Sequence, residues 1–263
     1  VVILFSASMV LGAVAGLFAG LFGIGGGLIM VPVLAMLFVK QGFAAEIVMI
    51  MAVATSLATI MLTALASVLA HHRLGAVLWD KVLRLAPGIM AGSALGAVIA
   101  DKISGETLRY LFIAYLLYAA LQLAMQRKPN AGRKPSSRFL DHLAGLVIGS
   151  LSAIIGIGGG TLTVPYLVHF QIPIRNAVAA SSACGLPIAV AGAASYILLG
   201  WRSPLLPEWS LGYIYLPSFL GIVLTSVITA PIGAKLAGII PAQKLKRYFS
   251  LLLLAVAAKM LWL

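Results

Sequence analysis

One short glycine motif occurs twice in this chain, as Gly23-Ile24-Gly25-Gly26-Gly27 and Gly156-Ile157-Gly158-Gly159-Gly160. A shift of 133 residues superposes the two copies. It also superposes the prolines that follow (Pro32, Pro165) and the glycine pairs that precede (Gly12 and Gly16; Gly145 and Gly149). Glycine inside a helix costs about 1 kcal/mol relative to alanine, so a cluster of this kind marks a point where a helix stops. Each copy interrupts a long apolar run. Freed backbone at membrane depth is tolerated only where it faces protein or a water-filled cavity. A matched pair of interrupted apolar segments, one per half of the chain, points to a carrier's binding site.

Composition places these breaks in a membrane. Hydrophobic residues make up 62% of the 263 residues and charged residues 9%, and the mean hydropathy is +1.11. A soluble domain does not cover so much apolar surface with so few charges. The net charge of +12 does not imply a nucleic-acid partner, because the cations sit in short loops between spans, as basic cytoplasmic loops do. No cleaved signal peptide is expected at the N-terminus. With one cysteine, Cys184, no internal disulfide forms.

The pattern predicts an all-α polytopic membrane protein of two repeats. Residues 1–126 form the first, with a broken hairpin over 1–39 and spans near 44–70, 83–100 and 107–126. Residues 127–138 (RKPNAGRKPSSR) form a basic linker. Residues 139–263 form the second, with a hairpin over 139–170 and spans near 175–199, 211–236 and 243–262. Charge decides whether each broken segment crosses or returns. If it crosses once, the 18 lysines and arginines divide ten to eight. If it enters, turns and returns to its own side, only Lys40, Lys102, Arg109, Arg202 and Lys259 lie opposite the other thirteen, a stronger positive-inside bias. The re-entrant model leaves three full crossings per half, so the halves are inverted. Both termini are then outside and the 127–138 linker is cytoplasmic.

The glycine-rich breaks with their following prolines (GLFGIGGGLIMVPVL at 20–34, GIGGGTLTVPYL at 156–167) resemble the TauE/SafE family of sulfite exporters. The resemblance extends to the hydropathy pattern, to the Thr55-Ser56 and Ser181-Ser182 pairs, and to His72 with Gly75. It implies a carrier in a bacterial inner membrane for sulfite, sulfonates or related sulfur anions. The second half departs from the first: no histidine precedes Gly200, and Trp201-Arg202 follow it.

The residues themselves offer a means of holding an anion. A helix N-terminus leaves about four N–H groups without partners and carries roughly half a positive charge, and glycine lets an oxyanion approach them. Gly25, Gly26 and Gly27 in one half, with Gly158, Gly159 and Gly160 in the other, are therefore the candidate substrate-binding residues, expected to meet near the membrane centre. The competing reading is close helix packing. Hydroxyls come next. Thr55, Ser56, Thr59, Thr63 and Ser67 fall on one helix face. Thr55, Ser56, Thr161, Ser181 and Ser182 are read as substrate contacts; Thr59, Thr63, Ser67, Thr163 and Ser195 are read as packing, since such hydroxyls commonly bond their own helix. His71 and His72 are candidates for gating or proton transfer, with an interfacial role as the alternative. Glu46, Asp101 and Asp141 are expected at span ends, in interfacial roles. Gly88, Gly92 and Gly96 form a small-residue packing face.

No metal, cofactor or catalytic residue is expected. One cysteine, scattered histidines and peripheral acids supply no intramembrane acid–base pair, so an enzyme is disfavoured. The expected partners are a small anionic substrate and the lipid bilayer, and a homo-oligomer is compatible with the arrangement. An anion channel, or a carrier for a different oxyanion or a carboxylate, is the alternative function.

Overall fold

The computed structural model describes residues 2–22, 26–125, 136–236 and 242–262. These form α1 (Val2–Phe22), α2 (Gly27–Lys40), α3 (Ala45–Arg73), α4 (Trp79–Lys102), α5 (Gly105–Met125), α6 (Arg138–Ile155), α7 (Gly160–His169), α8 (Ile174–Gly200), β1 (Ser210–Leu211), β2 (Ile214–Tyr215), α9 (Leu216–Leu236) and α10 (Ala242–Met260). Among them, seven helices (α1, α3, α4, α5, α6, α8 and α9) are long and apolar enough to cross a membrane. The protein is an all-α polytopic membrane protein. Most of the basic linker and Gly25 lie outside the described residues.

Helix α9 starts five residues after the expected position 211. Ser210–Leu211 pair instead with Ile214–Tyr215 in a two-stranded antiparallel hairpin, whose turn holds Gly212 at φ +55°. Tyr213 in that turn donates its hydroxyl to Asp101 at 2.8 Å. Burial, and then the Asp101 carboxylate, push its phenol up to about 12, so it remains a donor.

The core is built around α3, 89% of whose most apolar window is buried inside the protein, and α3 packs against α8. On either side stands a tight helix pair, α1 with α9 and α4 with α6. A Cβ on Gly16 would lie 2.7 Å from the Ser226 carbonyl, and one on Gly92 would collide with the carbonyl of Leu146. In lipid the hydrophobic effect does not drive helices together, so close van der Waals packing through small residues replaces it. Both pairs run parallel. Gly12, Gly16 and Gly20 meet Ile222, Ser226 and Ala230 in order, and Gly88, Gly92 and Gly96 meet His142, Leu146 and Ser150.

Each short helix turns back along the long helix before it. Gly26 lies beside Ala15 of α1, where a Cβ would come within 2.8 Å of the Ala15 carbonyl. Past the end of α2, Phe43 stacks on Phe38, and both rings pack edge-on against Tyr215, the last residue of β2, which leads directly into α9. Tyr166 of α7 likewise reaches back to Asp141 in the first turn of α6, with a 2.7 Å hydrogen bond.

Asp141 stands in the first turn of α6, at the span end expected of it, but its side chain faces protein. It is fully buried. Its carboxylate accepts from Ser136 Oγ at 2.6 Å, from Tyr166 Oη and from Lys81 Nζ at 3.3 Å, while Lys81 also donates to Ser136. The network ties α4, α6 and α7 together. A buried carboxylate persists only when it is paired and hydrogen-bonded in this way.

Candidate functional site

The N-cap glycines of the two breaks adopt the same backbone conformation. Gly26 (φ 74°, ψ −8°) and Gly159 (φ 73°, ψ −4°), 133 positions apart, are the left-handed N-cap residues of α2 and α7. A residue with a Cβ is strained in that region. Neither helix has a side-chain cap. The amides of Ile29 and Met30 bond the Gly26 carbonyl, and those of Leu162 and Thr163 bond the Gly159 carbonyl. The first amides of each helix point past the N-terminus without an intrahelical acceptor.

The breaks also touch. A Cβ on Gly27 would collide with the Gly156 carbonyl and lie 2.8 Å from Ile157 Cα. Beside this junction is a cavity of about 10 Å³. Ala19, Ile60, Thr63, Ala64 and Ser67 line it from the first half, and Gly158, Ser182 and Gly185 from the second. Among the described residues no charged side chain lines it. Its polarity comes from hydroxyls and backbone.

The hydroxyls divide differently from their sequence grouping. Ser182 is on the cavity wall; it donates to the Val178 carbonyl at 3.1 Å and stands 3.5 Å from Ser67 Oγ. Thr63 and Ser67, read from sequence as packing residues, line the cavity as well. Thr63 also donates to the Thr59 carbonyl and lies 2.9 Å from Ser226 Oγ. Thr55 and Ser56 are not brought to the cavity. Thr55 accepts from the Tyr215 amide at 3.0 Å, fastening the start of α9 to α3. Ser56 donates to the Gly156 carbonyl at 2.8 Å, holding the second break against α3. Thr161 is hydrogen-bonded to Tyr115 of α5. Ser181 is buried in α8, off the cavity wall. Thr59 donates to the Ser56 carbonyl and Ser195 to the Ala191 carbonyl.

His71 and His72 close α3, one turn beyond Ser67. His71 is buried, and its Nε2 has no hydrogen-bond partner among the described residues. His72 Nδ1 accepts from the Trp79 indole at 3.2 Å on the exposed side. Cys184 is buried and off the cavity wall. Sequence reading passed over Ser152, whose hydroxyl lies 3.3 Å from where a Gly159 Cβ would be. The repeat holds the one available signal: the position equivalent to Ser152 in the first half is Ala19.

A family model described as sulfite exporter TauE/SafE matches residues 8–260. The chain belongs to the TauE/SafE family. It is 38% identical over 253 residues to a probable membrane transporter protein of Haemophilus influenzae, covering 96% of each chain. It is 25% identical to a probable membrane transporter protein of Methanocaldococcus jannaschii, over 87% of this chain and 84% of that one. The probable membrane transporter protein YunE of Bacillus subtilis is 28% identical over 73% of this chain and 78% of its own length. No solved structure matches the chain. TauE/SafE membership together with the seven apolar spans makes this a multi-pass membrane transporter.

Proposed function

We propose that the protein carries a small sulfur oxyanion or organosulfonate, such as sulfite or sulfoacetate, across the bacterial inner membrane by alternating access. The observation that carries this reading is the junction of two uncapped helix N-termini of one conformation, beside a cavity that no charged side chain lines among the described residues. An anion carrier with no buried cation at its site needs another source of positive potential, and helix ends supply it. The family description names sulfite. A cavity of about 10 Å³ holds roughly one water and is too small for a four-atom oxyanion. Substrate therefore enters when the helices around it rearrange, as alternating access requires.

The test is a binding panel on the purified full chain: sulfite, sulfate, thiosulfate, sulfoacetate, taurine and an aryl sulfonate. At least one sulfur anion should bind saturably. Failure of all of them, with a clear response to a cation, would overturn the reading.

The two halves are, on this proposal, inverted repeats. Support comes from the chain ends: α2 returns to the start of α1 and α9, and α7 returns to the start of α6 and α4. Lys40, Lys102, Arg109, Arg202 and Lys259 fall at the first face, and Arg73, Lys81, Arg84, Arg138, Arg175 and Lys235 at the second; the sequence joining α5 to α6, whose two ends lie at the second face, adds Arg127, Lys128, Arg133 and Lys134. The more basic face is cytoplasmic by the positive-inside rule, which puts both termini outside. Alkaline phosphatase fused after Leu263 should be active in cells; an inactive fusion whose fluorescent-protein counterpart glows would reverse the orientation.

A further inference from the structure

We infer that the anion is held by the second glycine break alone, with Ser152 and Thr163 as its hydroxyl donors, while the first break serves as its apolar counterpart. This rests on the anion-carrier reading above and deepens it.

The observation is a pair of hydroxyls with nothing to bond. Ser152 and Thr163 are both fully buried, and neither side-chain oxygen has a hydrogen-bond partner among the described residues. A hydroxyl in an apolar interior without a partner costs free energy. Serine and threonine in helices ordinarily avoid that cost by bonding the carbonyl four residues back. Ser150, Ser182, Ser195 and Thr229 all do so here. Ser152 and Thr163 do not, although both sit in helices.

Both point to the same place. A Cβ built on Gly159 would lie 3.3 Å from Ser152 Oγ and 3.4 Å from Thr163 Oγ1, with the Ile188 methyl nearer still, so an anion is received there when that side chain moves aside. Gly159 is the N-cap of α7, a ten-residue helix whose first amides have no intrahelical acceptor. Two hydroxyl donors and a helix N-terminus thus converge on one residue, and Gly158 beside it lines the cavity. That donor set suits a compact oxyanion with several terminal oxygens, which accepts from hydroxyls and amides at once.

The first half lacks this set. Under the 133-residue shift Ser152 becomes Ala19 and Thr163 becomes Met30. Met30 Cε lies 3.1 Å from where a Gly26 Cβ would be, in the place that the Thr163 hydroxyl takes beside Gly159. The Met30 sulfur is itself engaged, accepting from Thr59 at 3.2 Å. Beside Gly159 two hydroxyl donors stand around the Ile188 methyl, whereas beside Gly26 the Ala15 carbonyl and the Met30 methyl supply no donor, although the two N-cap glycines share one backbone conformation. A single anion site follows, in place of one anion shared equally by two helix ends.

The test uses the full chain in detergent, with sulfite and sulfoacetate titrated separately and each variant checked for monodispersity. Ser152→Ala and Thr163→Val should each weaken the binding shown by the wild type roughly tenfold to a hundredfold, the loss expected for one hydrogen bond to a charged group. Thr163→Ser, which keeps the hydroxyl, should stay close to wild type. Met30→Leu should stay within about twofold. If Thr163→Val does not fold, Ser152→Ala decides, since it removes one oxygen. Unchanged affinity in the hydroxyl variants, or an equal loss in Met30→Leu, would overturn this inference and leave the carrier reading standing. A wild type that binds neither anion would overturn both.

Discussion

Gly92→Leu should yield no monodisperse protein after detergent extraction. Gly92 is where α4 crosses α6, and even a Cβ there would strike the Leu146 carbonyl. Backbone cannot rotate away as a side chain can, so the two helices would have to separate along their length. Gly88 and Gly96 on the same face meet the carbonyls of His142 and Ser150 just as closely, and the whole row of contacts would be lost. Overpacking a core ordinarily costs about 1–3 kcal/mol. Here the cost is larger, because close approach is the main attraction between helices in lipid. Met90→Leu, two residues away on an exposed surface, should leave expression and the gel-filtration profile unchanged. A monodisperse Gly92→Leu protein would show that the α4–α6 crossing does not depend on glycine.

Asp141→Ala should destabilise the protein by about 3 kcal/mol, the lower end of the range for breaking a buried ion pair. The low end applies because the Lys81 side chain keeps 16% of its surface exposed and can turn toward water. Three donors, from Lys81, Ser136 and Tyr166, lose their acceptor together. Tyr166 is the only one of the three on α7, so the return of that helix to the start of α6 loses its polar tie. Tyr166→Phe removes that single bond and should cost about 1–3 kcal/mol. Thermal unfolding in detergent, followed by tryptophan fluorescence, should order the melting temperatures as wild type, Tyr166→Phe, Asp141→Ala. An Asp141→Ala protein as stable as wild type would mean that the network contributes nothing to holding α7.

Much of the architecture was legible because it depends on local chemistry. Glycine clusters stop helices wherever they occur, and Gly26 and Gly159 do so with one backbone conformation. The candidate site was legible only in outline. Thr55, Ser56, Thr59, Thr63 and Ser67 fall on one face by spacing alone. Spacing does not say which of them a neighbouring chain segment claims. Tyr215 takes Thr55, Gly156 takes Ser56, and the cavity receives Thr63 and Ser67. The span-end position of Asp141 was legible, but not its burial, because its partner Tyr166 is 25 residues away, across a break that folds back. The short hairpin at Ser210–Tyr215 was hidden by apolar residues that continue directly into α9.

The sequence by itself determined an all-helical membrane protein, the two points where its helices break, and its membership of a transporter family. Hydropathy, glycine and proline act on the residues nearest to them, and so can be read along the chain. Only the tertiary structure decided that Gly27 meets Gly156, and that Ser152 and Thr163 stand beside Gly159 while the Met30 methyl stands beside Gly26. Those relations depend on how helices cross and in what register, which is set by packing between distant segments. A matched sequence repeat can therefore carry equal backbones and unequal linings.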